Sequence, residues 1–222
     1  MSEDLFLIPS IINPGNAPWS YTNVRSVFSP QDRFVHTLES IDSIRQRMPK
    51  AKILLIECSS LTPEQSEILK SRTDYFLDLS KDPDAIACCI TTEKKGLGEA
   101  YQTKRAAEFI SQNNLTFRRL FKLSGRYSLN EEFIESNYSD TVYTFKRRVA
   151  QATPSHSTVM YSLPSALFPH YYECLCLSVN FYLSGQNRGW EEVLPPLLEP
   201  KQELDRMGAQ GLVAVNGDFF TC

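Results

Sequence analysis

Several patterns that identify membrane, zinc-binding or secreted proteins are missing from this sequence. No stretch approaches the roughly 20 apolar residues that a membrane helix needs, and no secretory signal opens the chain. The six cysteines form no paired CxxC units, and the three histidines include no i, i+4 pair that could hold a metal. These absences predict free thiols, no transmembrane segment and a cytoplasmic location.

A strong net charge is also missing. The formal charge is -3 at pH 7, so the chain has no general basic field that would attract nucleic acid. We therefore expect no nucleic-acid partner, and any anionic ligand has to be bound by cations at a local site. The length of 222 residues suits one medium domain with a packed core.

Short apolar runs alternate with amphipathic segments along the chain. Strands are predicted at 5–12, 52–56, 75–79, 119–124, 141–147 and 158–162. Helices are predicted at 30–48, from 62, and at 98–113, 169–183 and 190–198. This alternation predicts an α/β domain with a mostly parallel central sheet flanked by helices. The long segment 13–30 is expected to be a binding loop or a packed surface loop.

Ligands of an open parallel sheet bind beyond the carboxyl ends of its strands. At the end of the first strand, the backbone groups of Pro9, Ser10 and Ile11 are candidates for binding the nucleobase of a nucleoside. Glu57, at the end of the second strand, could accept hydrogen bonds from the same nucleoside. A helix-capping or surface carboxylate is the alternative interpretation of Glu57.

The segment EKKGLGEA (93–100) places two lysines and two glycines before a predicted helix. Backbone N–H groups and the helix dipole favour an anion at such a position. Lys95, Gly96, Gly98 and Glu99 are therefore candidate binding residues. The segment lacks the phosphate-loop spacing GxxxxGK[ST], so an ordinary glycine turn is the alternative.

The most informative segment is FKLSGRY (121–127) at the end of the fourth predicted strand. Strand alternation places Lys122, Ser124 and Arg126 on one side, and Gly125 allows a ligand to approach the backbone closely. Two cations on one face at this end of a sheet suit a diphosphate.

Three further candidates lie later in the chain. Arg147 and Arg148 follow the fifth predicted strand and could add guanidinium contacts to phosphate oxygens. His156 lies in a predicted polar loop, where it could contact an acceptor or a phosphate. The alternatives are a solvated strand end and a plain loop histidine.

The order of elements, together with KGLGEA (95–100), FKLSGRYSLNEEF (121–133) and a late tryptophan-and-glutamate helix, resembles the GT-A glycosyltransferases. The resemblance is to small bacterial and viral sugar transferases of cell-surface polysaccharide pathways, and it covers about 5–198. It implies a single GT-A-like (Rossmann-like) domain with a nucleotide-binding half at 1–128 and an acceptor-side half at 129–222. It also implies transfer of a sugar from a nucleotide-diphosphate sugar donor to a glycan acceptor.

One feature departs from this family pattern. The fourth strand of a GT-A enzyme normally ends in Asp-x-Asp, which holds a divalent metal against the diphosphate, whereas this chain has Ser124-Gly125-Arg126. Fixed cations can neutralise the leaving group as a metal does. The departure predicts metal-independent transfer without a cofactor, with Arg126 and Lys122 acting on the diphosphate. Four aspartates could still bind a metal from another position: Asp78, Asp82, Asp84 and Asp218.

An inverting transferase needs a carboxylate that takes the proton of the acceptor hydroxyl. In this family a late helix commonly supplies it, and Gly189–Glu192 offers two carboxylates beside the aromatic face of Trp190, which could stack on a sugar. We predict Glu191 as the catalytic base, ahead of Glu192. The alternative is that these carboxylates only stabilise the start of the helix.

Two other functions are compatible with the same scaffold. A noncatalytic nucleotide- or carbohydrate-binding protein is favoured by the absence of the acidic motif. A sugar nucleotidyltransferase should carry a glycine-rich, basic segment directly after its first strand. This chain has PSIINP (9–14) there, which disfavours it.

Overall fold

A computed structural model describes residues 3–148 and 155–222 of the chain. Its strands are β1 (Leu5–Ser10), β2 (Lys52–Glu57), β3 (Tyr75–Asp78), β4 (Arg119–Leu123), β5 (Tyr127–Leu129), β6 (Tyr143–Arg148), β7 (Ser155–Pro164), β8 (Lys201–Leu204), β9 (Ala209–Leu212) and β10 (Phe219–Thr221). Its α-helices are α1 (Pro30–Arg47), α2 (Pro63–Arg72), α3 (Pro83–Ala85), α4 (Lys95–Gln112), α5 (Phe168–Leu183) and α6 (Trp190–Val193).

Seven strands form the central sheet in the order β3-β2-β1-β4-β7-β6-β8. The strands β1 to β4 run parallel, β7 runs antiparallel to both of its neighbours, and β8 runs parallel to β6. A smaller antiparallel sheet has the order β10-β9-β5. The prediction of a single α/β domain with a mostly parallel sheet is confirmed.

The first two long helices begin where the sequence indicates. Ser29 caps α1 and Thr62 caps α2, each in a reciprocal capping box with the residue three positions later, and a proline follows each cap. A proline at the first helical position costs no hydrogen bond and has the helical φ angle. These local signals explain why both helix starts follow from the sequence.

Side chains of β1 alternate between two hydrophobic cores. Leu5 and Leu7 pack on the side of the sheet that carries α4 and α5, whereas Phe6 and Ile8 pack on the side that carries α1. A strand buried on both faces is expected in the centre of a parallel sheet. The two layers of helices therefore hold β1 firmly, and the carboxyl end of β1 opens onto the candidate site.

The second half of the chain differs from the predictions in several places. The predicted helix 190–198 is α6 followed by a 3-10 turn (Pro195–Leu197), because consecutive prolines cannot continue an α-helix. The predicted loop around His156 is wrong, since His156 belongs to the strand β7. The strands β5, β8, β9 and β10 were not predicted. Each is short and is formed by pairing with another strand. In the described ranges, 3–148 and 155–222, every helix is too short or too polar to span a bilayer.

Candidate functional site

A cavity of about 90 Å³ lies beyond the carboxyl ends of β1 and β4. Five cationic side chains and one carboxylate line its wall among the described residues. We call it the cationic cavity. The cations are Arg25, Arg33, Lys95, Lys122 and Arg126, and the carboxylate is that of Glu99.

Arg126 lies in the turn between β4 and β5 and lines this cavity. In the described part of the chain its guanidinium has no carboxylate within ion-pair distance, and its buried Nε atom has no hydrogen-bond partner. Burial lowers the pKa of Arg126 from its usual value. The Arg126 side chain is half-buried and has no anionic partner among the described residues, so an anion in this cavity would be stabilised by it.

Lys122 is the last-but-one residue of β4 and is 1% exposed. Its Nζ donates hydrogen bonds to the Thr158 carbonyl (2.6 Å) and the Ser124 hydroxyl (2.8 Å), and lies 3.9 Å from a Glu99 carboxylate oxygen. Burial lowers the pKa of Lys122. The structure brings Lys122, Ser124, Gly125 and Arg126 together around one cavity, as their spacing predicted.

Two arginines of the cavity were not predicted. Arg33 on α1 donates from Nε to the Ile11 carbonyl over 2.6 Å, and burial together with the nearby charge of Arg126 lowers its pKa to about 9. Arg25, in the loop before α1, donates to the Cys89 carbonyl over 2.6 Å and stacks 3.8 Å above the Trp19 ring. Carbonyl partners satisfy guanidinium hydrogen bonds without neutralising the charge, so the cavity keeps an excess of positive charge. No local pattern indicates either arginine, since long-range packing places both.

Only some of the candidate residues at the ends of β1 and β2 line the cationic cavity. Pro9 and Ile11 line the cationic cavity, whereas Ser10 and Glu57 do not. The Ser10 hydroxyl is hydrogen-bonded to Thr37 over 3.2 Å. The interpretation of Glu57 as a surface or helix-capping carboxylate is wrong, because Glu57 is fully buried and its carboxylate binds backbone amides in the segments after β1 and β2.

The Glu57 carboxylate orders the chain beyond β1 and β2. It accepts hydrogen bonds from the Ile12 amide (3.2 Å), the Ser59 amide (2.7 Å) and the Ser59 hydroxyl (2.6 Å). Burial raises the pKa of Glu57 above its usual value. Its contacts support the backbone that carries Ile11 to the cavity.

A second, more open cavity of about 490 Å³ adjoins the first and shares Lys95 and Glu99 with it. We call it the acidic cleft because Glu191 and Glu192, in the first turn of α6, line it together with Glu99. The remaining described residues that line it are Ser20, Tyr21, Gly96, Asn187, Arg188, Gly189 and Trp190.

Lys95 and Glu99 lie at the boundary of the two cavities, in the first turns of α4. Their charged atoms are 3.7 Å apart, and the carboxylates of Glu99 and then Glu191 raise the pKa of Lys95. Gly96 has a packing role, since a Cβ atom there would lie 2.1 Å from the Tyr182 hydroxyl oxygen. The predicted segment 95–99 therefore connects a cationic region with an acidic one.

Trp190 does not offer its ring to a ligand in the way that was predicted. It is 2% exposed and packs beside Tyr182 with 6.5 Å between ring centroids. Val193 and Leu194 are buried with it, so the hydrophobic side of α6 anchors this element and leaves the two glutamates at the cleft. The expected stacking face is missing because the indole completes the core under α4 and α5.

The later cationic candidates lie elsewhere. Arg147 lines neither cavity, and its side chain is 59% exposed and 3.4 Å from Glu203. His156 is buried in β7, and its Nε2 lies 2.7 Å from the same carboxylate. The side chain of Arg148 and the residues 149–154 lie outside the described part of the chain.

The donor set of the cationic cavity does not suit a divalent metal. Its single carboxylate, Glu99, already lies between Lys95 and Lys122. Within 3–148 and 155–222, no three His, Cys, Asp or Glu side chains are grouped so that they could hold an ion. The aspartates considered as alternative ligands line neither cavity: Asp78, Asp82, Asp84 and Asp218.

No protein-family model matches the sequence, and no curated protein matches it. The solved structures with a similar fold include two glycosyltransferases. The glycosyltransferase GlyE of Streptococcus pneumoniae TIGR4 has a TM-score of 0.53 at 11% identity, over 92% of this chain and 46% of GlyE. The mannosyltransferase Ktr4p of S. cerevisiae has a TM-score of 0.51 at 10% identity, over 89% of this chain and 65% of Ktr4p. This chain therefore spans less than two thirds of each, and it shares an α/β fold with both.

Proposed function

We propose that this protein is a glycosyltransferase that moves a sugar from a nucleotide-diphosphate sugar to a carbohydrate acceptor. Fixed cations take the place of a divalent metal at the diphosphate. The observation that carries the proposal is the cationic cavity beyond β1 and β4, in which Arg126 has no partner among the described residues. In open α/β sheets, this edge is where ligands bind.

The charges of the two cavities support a division of roles. The diphosphate would lie against Arg126, Lys122 and Arg33, where guanidinium and ammonium groups stabilise the charge of the departing phosphate oxygen. The acceptor would lie in the acidic cleft beside Glu191 and Glu192. Lys95 and Glu99 line both cavities, so the reacting bond would lie near these two side chains.

The proposed reaction needs one proton transfer. As the acceptor oxygen forms a bond to the anomeric carbon, its proton passes to the carboxylate of Glu191 or Glu192. The bond between the anomeric carbon and the diphosphate oxygen breaks, and its electron pair remains on that oxygen. The cations of the cavity are already in place for this charge, so no reorganisation is needed when it forms.

A thermal-shift and calorimetric screen tests the proposal. Uridine, guanosine, adenosine, cytidine and thymidine diphosphates and their sugar conjugates are titrated into the protein, each with EDTA and each with manganese. We expect one nucleotide family to raise the melting temperature equally in both conditions, since a ligand at 100 times its Kd stabilises the folded state by about 2.7 kcal/mol. No response to any nucleotide would reject the proposal, and a response that requires manganese would reject the role of the fixed cations.

A noncatalytic binding protein is the second candidate. The observation that favours it is the end of β4, where Ser124-Gly125-Arg126 stands in place of an acidic metal motif. The two candidates are separated by incubating the protein with the nucleotide sugar that stabilises it and measuring the nucleoside diphosphate released by hydrolysis. A pure binding protein releases no nucleoside diphosphate.

A further inference from the structure

An exposed aromatic ring lies at the edge of the acidic cleft. Tyr21 lines the cleft and is 61% exposed, in contrast to Trp190, which is 2% exposed. A single exposed aromatic side chain is common on a protein surface. Tyr21 differs from exposed aromatics such as Phe219 because it lines a cleft beside carboxylates. Tyrosine suits such a position because one part of its ring is apolar while its hydroxyl remains in water.

The backbone that carries Tyr21 is held in place. Trp19 and Thr22 exchange two backbone hydrogen bonds of 2.9 and 3.2 Å, so Tyr21 lies at the tip of a tight turn. The Ser20 amide donates to the Glu93 carbonyl over 2.9 Å. The Asn187 amide group donates to the Ser20 hydroxyl over 2.9 Å, which joins the turn to the opposite wall of the cleft. An aromatic side chain has only two torsions, so on a backbone held in this way it loses little entropy when it binds a ligand.

The charges of the cleft restrict what can bind next to Tyr21. Glu99, Glu191 and Glu192 are opposed by Lys95 and Arg188, and Lys95 is already paired with Glu99. The net charge that remains near α6 is therefore negative. A ligand that carries a carboxylate would be repelled there, whereas a neutral ring with hydroxyl groups could hydrogen-bond the carboxylates.

We propose that Tyr21 is the platform on which a neutral pyranose acceptor stacks, with Glu191 and Glu192 facing its hydroxyl groups. This inference rests on the proposed function, for which it assigns the acceptor class and a residue that positions the acceptor. The apolar face of the sugar ring covers the Tyr21 ring, and its polar edge faces the acidic side of the cleft. Tyr21 takes the role that the sequence suggested for Trp190.

Saturation-transfer NMR with simple glycosides tests the inference. The probes are the methyl glycosides of glucose, galactose, mannose and N-acetylglucosamine, with methyl glucuronide as the anionic comparison. We expect at least one neutral glycoside to bind the wild-type protein and methyl glucuronide to bind more weakly. Tyr21→Ala should weaken the neutral glycoside by about 3- to 10-fold, and Tyr21→Phe should preserve its binding. Phe219→Ala is the matched control, because Phe219 is 65% exposed and lines neither cavity.

The same variants are titrated with the nucleoside diphosphate that stabilises the wild type. Tyr21→Ala should leave nucleotide affinity unchanged, since Tyr21 does not line the cationic cavity. If no neutral glycoside binds the wild type, or if Tyr21→Ala binds it as Phe219→Ala does, the inference is overturned while nucleotide binding can still stand. If glycoside binding depends on Tyr21 but no nucleotide binds, the sugar platform stands and the proposed transfer fails.

Discussion

The Gly125 amide donates a hydrogen bond to the Pro9 carbonyl over 3.1 Å, and this contact joins the turn after β4 to the end of β1. A Cβ atom at Gly125 would lie 2.9 Å from that same carbonyl oxygen. The Gly125 carbonyl in turn accepts a hydrogen bond of 3.1 Å from the Thr37 hydroxyl on α1. Close approach of two backbone segments therefore requires glycine here, independently of any ligand.

Gly125→Ala should destabilise the protein by about 1–3 kcal/mol, because the added methyl group forces one of these backbone segments to move. Urea unfolding followed by circular dichroism measures the change in the free energy of unfolding. Ser165→Ala is a suitable control, since Ser165 is exposed and lies far from this contact in the 3-10 turn before α5. Equal unfolding midpoints for the two variants would contradict the expected steric conflict.

Arg126→Ala should weaken binding of the stabilising nucleoside diphosphate by about tenfold or more, since a hydrogen bond to a charged group contributes about 1.5–3 kcal/mol. Without nucleotide, the variant should be at least as stable as the wild type, because a half-buried cation that repels Arg33 is removed. Calorimetric titration and thermal unfolding measure the two effects. Arg147→Ala is the matched control, since its side chain is 59% exposed and pairs with Glu203. Equal nucleotide affinity in both variants would show that Arg126 does not hold the phosphates.

Glu191→Gln should lower the rate of sugar transfer by about 10²- to 10⁴-fold, because the amide cannot accept the proton of the acceptor hydroxyl. Donor affinity should remain unchanged, since Glu191 does not line the cationic cavity. Glu192→Gln is measured beside it, and the variant with the larger loss in kcat identifies the base. Full activity in both variants would show that neither glutamate of α6 is the catalytic base.

Glu57 should give the folding stability a measurable pH dependence. Burial raises the pKa of Glu57 above 4.5, so the folded state keeps its proton at pH values where the unfolded chain has lost it. The free energy of unfolding therefore falls as pH rises from about 4.5 through the raised pKa. Glu57→Gln should lack this part of the slope when urea unfolding is repeated between pH 4 and pH 8. Glu67→Gln is the control, because the Glu67 side chain is 76% exposed; a Glu57→Gln profile parallel to this control would refute the assignment.

Local patterns were sufficient for much of the first half of the chain. The capping residues Ser29 and Thr62 and the apolar runs of β1, β2 and β4 act over a few residues, so their elements are close to the predicted bounds. The spacing of Lys122, Ser124 and Arg126 likewise predicted a shared cavity, which the structure contains. The short strands β8, β9 and β10 depend on their pairing partners, so no local sequence pattern predicts them.

The sequence by itself determined the class of the fold and the cationic character of the end of β4. Tertiary structure alone decided that Arg25 and Arg33 join this cation cluster and that Glu57 is buried. It also decided that Tyr21 and not Trp190 presents its ring to the acidic cleft. Helices and strands follow from neighbours in sequence, whereas burial and charge clustering follow from which distant segments pack together, as Arg25 does with Cys89.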